Sequence, residues 1–295
     1  MREPVFSGAC TALITPFGEN GEVDYHAFEQ LIETQIENGI DALCVCGTTG
    51  ETPTLSVREY TNLIKCCVKT VHGRVKVIAG SGSNDTSRAV YLSQQAQDAG
   101  ADALLIVTPY YNKTSQAGLI KHYDFISDRV ELPMILYNVP SRTGMSFTAQ
   151  TYQLLATNPK INGVKEASGN FSLIAHTRHL CGDQFYIWSG NDDHIVPMMS
   201  LGAKGVISVA GNLVPRVIAR MCKLCLENDF SSASKIQLEY TDLMDVLFSD
   251  VNPIPIKAAL NLLNKKAGHV RLPLCEMSPE QLELLKNALT RTRIL

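Results

Sequence analysis

No stretch of this 295-residue chain is apolar for long enough to cross a membrane as a helix, which takes about 20 residues. Nor is there a basic stripe. The formal net charge is −3, and nucleic acid is not an expected partner. No G-x-G-x-x-G follows the first predicted strand, which argues against a dinucleotide-binding open sheet. No low-complexity segment or flexible linker divides the chain. The opening residues, Met1-Arg2-Glu3-Pro4-Val5-Phe6, lack the apolar core of a secretory signal, so a cytoplasmic setting without membrane attachment is expected. Cysteine is not scarce, but its count, nine, is odd. Cys44, Cys46, Cys66 and Cys67 fall in apolar positions and read as reduced thiols used as small hydrophobes, not as a disulfide framework. Cys222-Lys223-Leu224-Cys225 is a single CxxC on a predicted helix, without the second pair of a structural zinc site.

What the chain does have is a repeated alternation. Short apolar runs at 10–14, 42–46, 75–79, 103–107, 134–137, 163–165, 185–188 and 205–209 are apolar at both parities, as in a parallel sheet buried on both faces. Amphipathic helices lie between them. One stripe is Phe28, Leu31, Ile32 and Ile36; another is Tyr60, Leu63, Ile64, Cys67, Val68 and Val71, opened by the capping box Ser56-Val57-Arg58-Glu59. Gly39, Gly100 and Gly202 each sit between a helix and the next strand, where a left-handed helix terminus is expected. Eight such units predict an α/β fold, a (β/α)8 barrel over residues 1–225, with an open doubly wound sheet as the alternative. After residue 225 the strand signals stop. Helices predicted at 228–248, 253–266 and 278–292 form a C-terminal helical appendage, 226–295.

Barrel enzymes carry their chemistry at the C-terminal ends of the strands. Those ends here hold Gly47-Thr48-Thr49-Gly50-Glu51, Thr108-Pro109-Tyr110-Tyr111-Asn112, Tyr137-Asn138 with Pro140-Ser141-Arg142-Thr143-Gly144, Lys165, Ser189-Gly190-Asn191-Asp192-Asp193, and Ile207-Ser208. Lys165 alone has an ordinary reading, a strand-end amine reaching for water. Collected on one rim, the set supplies what Schiff-base chemistry on a keto acid needs. An amine in apolar surroundings shifts toward its nucleophilic neutral form. Phenols and hydroxyls move protons, amides and threonines hold a carboxylate, and an arginine grips a second carboxylate. Asn191-Asp192-Asp193-His194 reads more simply as a helix N-cap with acidic first-turn residues than as a metal site. His176 and His179 share a helix face without a third ligand, so no metal is expected.

These motifs resemble the dihydrodipicolinate synthase family, within the pyruvate-dependent class I aldolases that include N-acetylneuraminate lyase. The resemblance covers essentially the whole chain. It implies that Lys165 condenses with pyruvate, that Tyr137 is the central proton donor and acceptor, and that Thr48 links Tyr137 to Tyr111 of a neighbouring subunit. It further implies that Thr49 binds pyruvate's carboxylate, that the main chain around Ile207 lies against bound pyruvate, and that Gly190 belongs to the substrate-binding set. Arg142, which sialic acid lyases usually lack, would bind the carboxylate of L-aspartate 4-semialdehyde. The implied product is 4-hydroxy-tetrahydrodipicolinate, on the route to diaminopimelate and lysine. The only covalent partner is the substrate, and no separate cofactor is expected. The implied assembly is a tight homodimer, paired again into a homotetramer. In lysine-inhibited members an interface site is rich in His, Asn and Glu. Asn84 and Tyr110 match it here, whereas Val57 and Tyr60 replace the histidine positions and Arg88 the glutamate. Lysine feedback is therefore expected to be weak or absent. An aldolase acting on a sugar acid and a non-catalytic keto-acid sensor remain as alternatives.

Overall fold

The computed structural model describes residues 2–295. Eight parallel strands close into a barrel in chain order. They are β1 (Gly8–Ala12), β2 (Ala42–Val45), β3 (Lys76–Gly80), β4 (Ala103–Val107), β5 (Met134–Asn138), β6 (Ile161–Glu166), β7 (Tyr186–Ser189) and β8 (Gly205–Ser208). Most are buried at every position because one face fills the barrel and the other meets the helices. The expected (β/α)8 fold is the observed one, and the open sheet is set aside: β1 pairs with β8 as well as with β2. Closure there demands glycine. Gly8 and Gly205 are register partners, and a Cβ on Gly205 would stand 1.7 Å from the Gly8 carbonyl oxygen.

The core divides in two. Inside the barrel, Phe6, Cys10, Cys44, Ile78, Ile135, Trp188 and Ile207 pack below the mouth. Phe6 and Trp188 stack at 5.2 Å, and the Trp188 indole donates to the Phe6 carbonyl. A larger cluster lies between the strands and the helices. The local signals hold. Ser56 and Glu59 form both halves of their capping box, and Gly39, Gly100 and Gly202 have φ of 81°, 91° and 90°. Cys222 and Cys225 are buried in the core face of the helix Pro215–Leu226.

Several boundaries differ from expectation by one to four residues, and two differences have a clear local cause. The first strand ends at Ala12 rather than at 14, because the Ile14 amide donates to the Asn212 side chain instead of a neighbouring strand. The helix expected over 228–248 is two, Phe230–Glu239 and Thr241–Val246. The Thr241 hydroxyl donates back to the Gln237 carbonyl at the junction, a bond that bends helices. Beyond them, 248–252 returns to the barrel mouth before the helix Ile254–Leu262, and Pro279–Arg291 closes the chain.

Candidate active site

Strand alternation decides which groups face the barrel's interior. Tyr137 on β5 and Lys165 on β6 are register partners, and so are their successors Asn138 and Glu166. Successive side chains point to opposite faces. Tyr137 and Lys165 point in, and the Lys165 Nζ lies 4.5 Å from the Tyr137 ring centroid. Lys165 is only 5 % exposed. Beneath it lie Cys10 and Cys44, whose thiols burial pushes up, Cys44 to about 11, with the nearby Lys165 charge opposing the rise. These thiols stay protonated and serve as packing.

Asn138 and Glu166 point outward. The buried Glu166 carboxylate accepts from Asn138 Nδ2 (3.0 and 3.1 Å), the Tyr152 hydroxyl (2.8 Å) and the Ser168 amide (2.9 Å). Burial raises its pKa from the ordinary glutamate value, and these donors oppose the rise.

The inward groups open onto a cavity of about 840 Å³ at the mouth, lined by Thr48, Thr49, Tyr137, Arg142, Lys165 and Gly190, among others. Six of the eight residues singled out from the sequence thus share one cavity. The turn after β2 is tight: the Gly50 amide donates to Gly47 and the Glu51 amide to Thr48. Thr48 is half-buried and Thr49 buried. Arg142 lies in the short helix Pro140–Thr143, and its Nη2 reaches the Asn252 carbonyl at 3.4 Å. Among the described residues it has no carboxylate partner. Gly190 is dictated by a close approach, since a Cβ there would meet the Ala167 Cβ at 2.6 Å.

Two residues stand apart. Ile207 is fully buried on β8 opposite Cys10, and Val209, two residues on, lines the cavity. Tyr111 is 91 % exposed at φ 68°, at the tip of a turn in which the Asn112 amide donates to the Tyr110 carbonyl.

Other positions were not evident from the sequence. Asp192 opens the 3-10 helix Asp192–His194 behind Asn191, as expected, and its carboxylate also accepts from the Val209 (3.1 Å) and Ala210 (2.8 Å) amides and so fixes the chain after β8. Burial raises its pKa, with hydrogen bonds opposing. Asn252 donates to the Thr49 hydroxyl oxygen at 2.9 Å. Lys257 reaches Glu51 at 2.9 Å in a fully buried pair, with the Thr15 and His269 carbonyls also accepting from its ammonium. Desolvation lowers the Lys257 pKa and the Glu51 charge opposes that.

A closed (β/α)8 barrel with a polar cavity at the C-terminal ends of its strands places the protein in the class of barrels that carry their sites there. Comparison with known proteins narrows the class. The sequence profile of the Dihydrodipicolinate synthetase family matches residues 5–292. The 4-hydroxy-tetrahydrodipicolinate synthase of Thermoanaerobacter sp. (strain X514) is 47% identical over 293 residues, 99% of this chain and 98% of that one. The crystal structure of dihydrodipicolinate synthase from Aquifex aeolicus superposes with a TM-score of 0.95 at 45% identity, covering 98% of this chain and 99% of that one. The corresponding enzyme from Cyanidioschyzon merolae, crystallised with lysine bound, gives 0.96 at 40% identity, covering 99% and 100%. The chain belongs to the dihydrodipicolinate synthetase family and is a lyase of that family.

Proposed function

We propose that the chain condenses pyruvate with L-aspartate 4-semialdehyde to give 4-hydroxy-tetrahydrodipicolinate, in the cytoplasmic route to diaminopimelate and lysine. The observation that carries this reading is the buried Lys165 amine facing Tyr137 in a cavity whose rim holds an arginine without a carboxylate partner. The Lys165 amine adds to the ketone of pyruvate and water leaves, giving an imine. Loss of a methyl proton gives the enamine, which attacks the aldehyde. The substrate's own amine then displaces Lys165 and closes the ring. Tyr137 moves protons at each addition and loss. Thr49 receives the keto acid's carboxylate, and Gly190 leaves room for the substrate beside β6 and β7. Arg142 takes the carboxylate of the second substrate as a bidentate partner.

Thr48 links Tyr137 to the Tyr111 of a second copy. A tyrosine held out in solvent on a constrained turn fits a residue that completes a neighbour's site. The working unit is accordingly a tight dimer, paired again as a homotetramer. Borohydride reduction with pyruvate should add an irreversible adduct mass to the peptide holding Lys165. Labelling that persists in Lys165→Ala would overturn the assignment.

Lysine inhibition should be weak or absent. The Tyr60 hydroxyl is spent on the Leu92 carbonyl deep in the core. Arg88 is exposed and lines the mouth cavity with Tyr110, where its charge repels an ammonium ligand. Half-maximal inhibition at submillimolar lysine would sink this.

A further inference from the structure

The Thr49 hydroxyl has one hydrogen to give and two lone pairs to receive. Among the described residues it is used as an acceptor only, by Asn252 Nδ2 at 2.9 Å. Both side chains are buried, and both line the mouth cavity. With a lone pair engaged by an N–H donor behind it, the Thr49 O–H is left free to donate into the cavity. Asn252 is held in turn from its other side. Its carbonyl accepts from Arg142, and the helix Ile254–Leu262 that begins just after it is anchored by Lys257 to Glu51, two residues beyond Thr49. The Arg271 amide donates to the other Glu51 oxygen. A segment about 200 residues downstream in the chain therefore grips the Thr48–Glu51 turn at two points.

We propose that Asn252 is a positioning residue for keto-acid binding: its amide fixes the Thr49 hydroxyl as a donor toward the carboxylate of the first substrate. The inference rests on the Schiff-base reading given above. Asn252 touches neither reacting atom and acts through Thr49. Its link to Arg142 runs through the main chain, so changing the side chain leaves the grip on the second substrate in place.

The test is a double-mutant cycle on the full-length protein, using Thr49→Val, Asn252→Ala and the pair. The readouts are the KM for pyruvate and the pyruvate concentration that half-saturates borohydride trapping at Lys165. Each single change should raise both by about five- to ten-fold, with kcat and the KM for the semialdehyde moving by less than about three-fold. The double variant should be no worse than Thr49→Val alone, because the two changes remove one interaction. Asn252→Asp is isosteric and keeps the test open should the alanine variant fold poorly. A carboxylate there accepts the Thr49 proton and repels the keto acid, so its pyruvate KM should exceed that of Asn252→Ala. Multiplicative effects in the cycle, an unchanged pyruvate KM in Asn252→Ala, or an aspartate variant equal to wild type would each overturn the proposal. Failure of the wild-type protein to label on Lys165 would instead remove the functional reading beneath it.

Discussion

Lys165 and Glu166 are neighbours in sequence and opposites in circumstance. The inward lysine and its register partner Tyr137 make no side-chain hydrogen bond among the described residues, and both face the cavity. The outward glutamate takes three donors and is almost fully buried. One face of the same two strands is left chemically available and the other is saturated. The difference shows how the barrel keeps a reactive pair in place without spending that pair's own bonding capacity: rigidity is supplied from behind, by Asn138, Tyr152 and Ser168. Reactive groups preset by surrounding structure need little reorganisation when substrate arrives.

The comparison breaks most sharply when each member is removed in turn. Lys165→Ala should lower turnover by about 10³-fold or more and abolish pyruvate-dependent borohydride labelling. Its melting temperature should stay within a few degrees of wild type, because among the described residues the lost side chain leaves no hydrogen-bond partner stranded. Calorimetry alongside the coupled assay checks both halves, and a collapse in stability would contradict the division of labour. Glu166→Ala should do the reverse. Three donors lose their acceptor in a buried site, at a cost on the order of 3 kcal/mol or more. The melting temperature should fall by roughly 10 °C. Residual activity at low temperature should remain well above that of Lys165→Ala.

Much of this arrangement was legible because it follows from short-range rules. The short apolar runs placed Tyr137 and Lys165 at strand ends, and the barrel convention put those ends at the mouth; their shared face follows from the register the structure adds. The helix-terminal glycines and the Ser56 capping box are likewise local, and they appear where expected. Asn252 was not legible. Its partner Thr49 lies 203 residues away, and its own segment carries only the signals of a helix start. Lys257 hid in an amphipathic pattern in which a buried cation looks like a surface one. Asp192 was read only in part, for the opposite reason. A local capping rule accounted for it well enough to mask its bonds to the loop after β8.

A subtler contrast concerns acid. His122 sits in the outer layer, buried, with Nδ1 bonded to the Thr86 hydroxyl and its pKa pushed by burial down to about 4. The unfolded chain binds that proton at about pH 6.5, the folded one not until about 4, so stability rises with pH between those values. Its contribution is fully present above pH 6.5 and lost as pH falls toward 4, with a slope of up to about 1.4 kcal/mol per pH unit. His122→Asn should flatten urea-derived stability across that window and leave pyruvate trapping at Lys165 unaltered. An unchanged slope would show that acid sensitivity resides elsewhere.

The smallest change sharpens the comparison most. Tyr152→Phe deletes one hydroxyl from the outward network and nothing from the cavity, since Tyr152 is fully buried behind β6 and donates to Glu166 at 2.8 Å. Asn138 and Ser168 still hold the carboxylate. The loss should be about 1 kcal/mol, or roughly 2–4 °C in melting temperature for a chain of this size. The KM for pyruvate and kcat should stay within about two-fold of wild type if the network only supports the strand end. A ten-fold loss of kcat at unchanged stability would mean the opposite. The outward network would then be electrically coupled to Lys165 through the intervening backbone, and the two faces of β5 and β6 would be one functional unit.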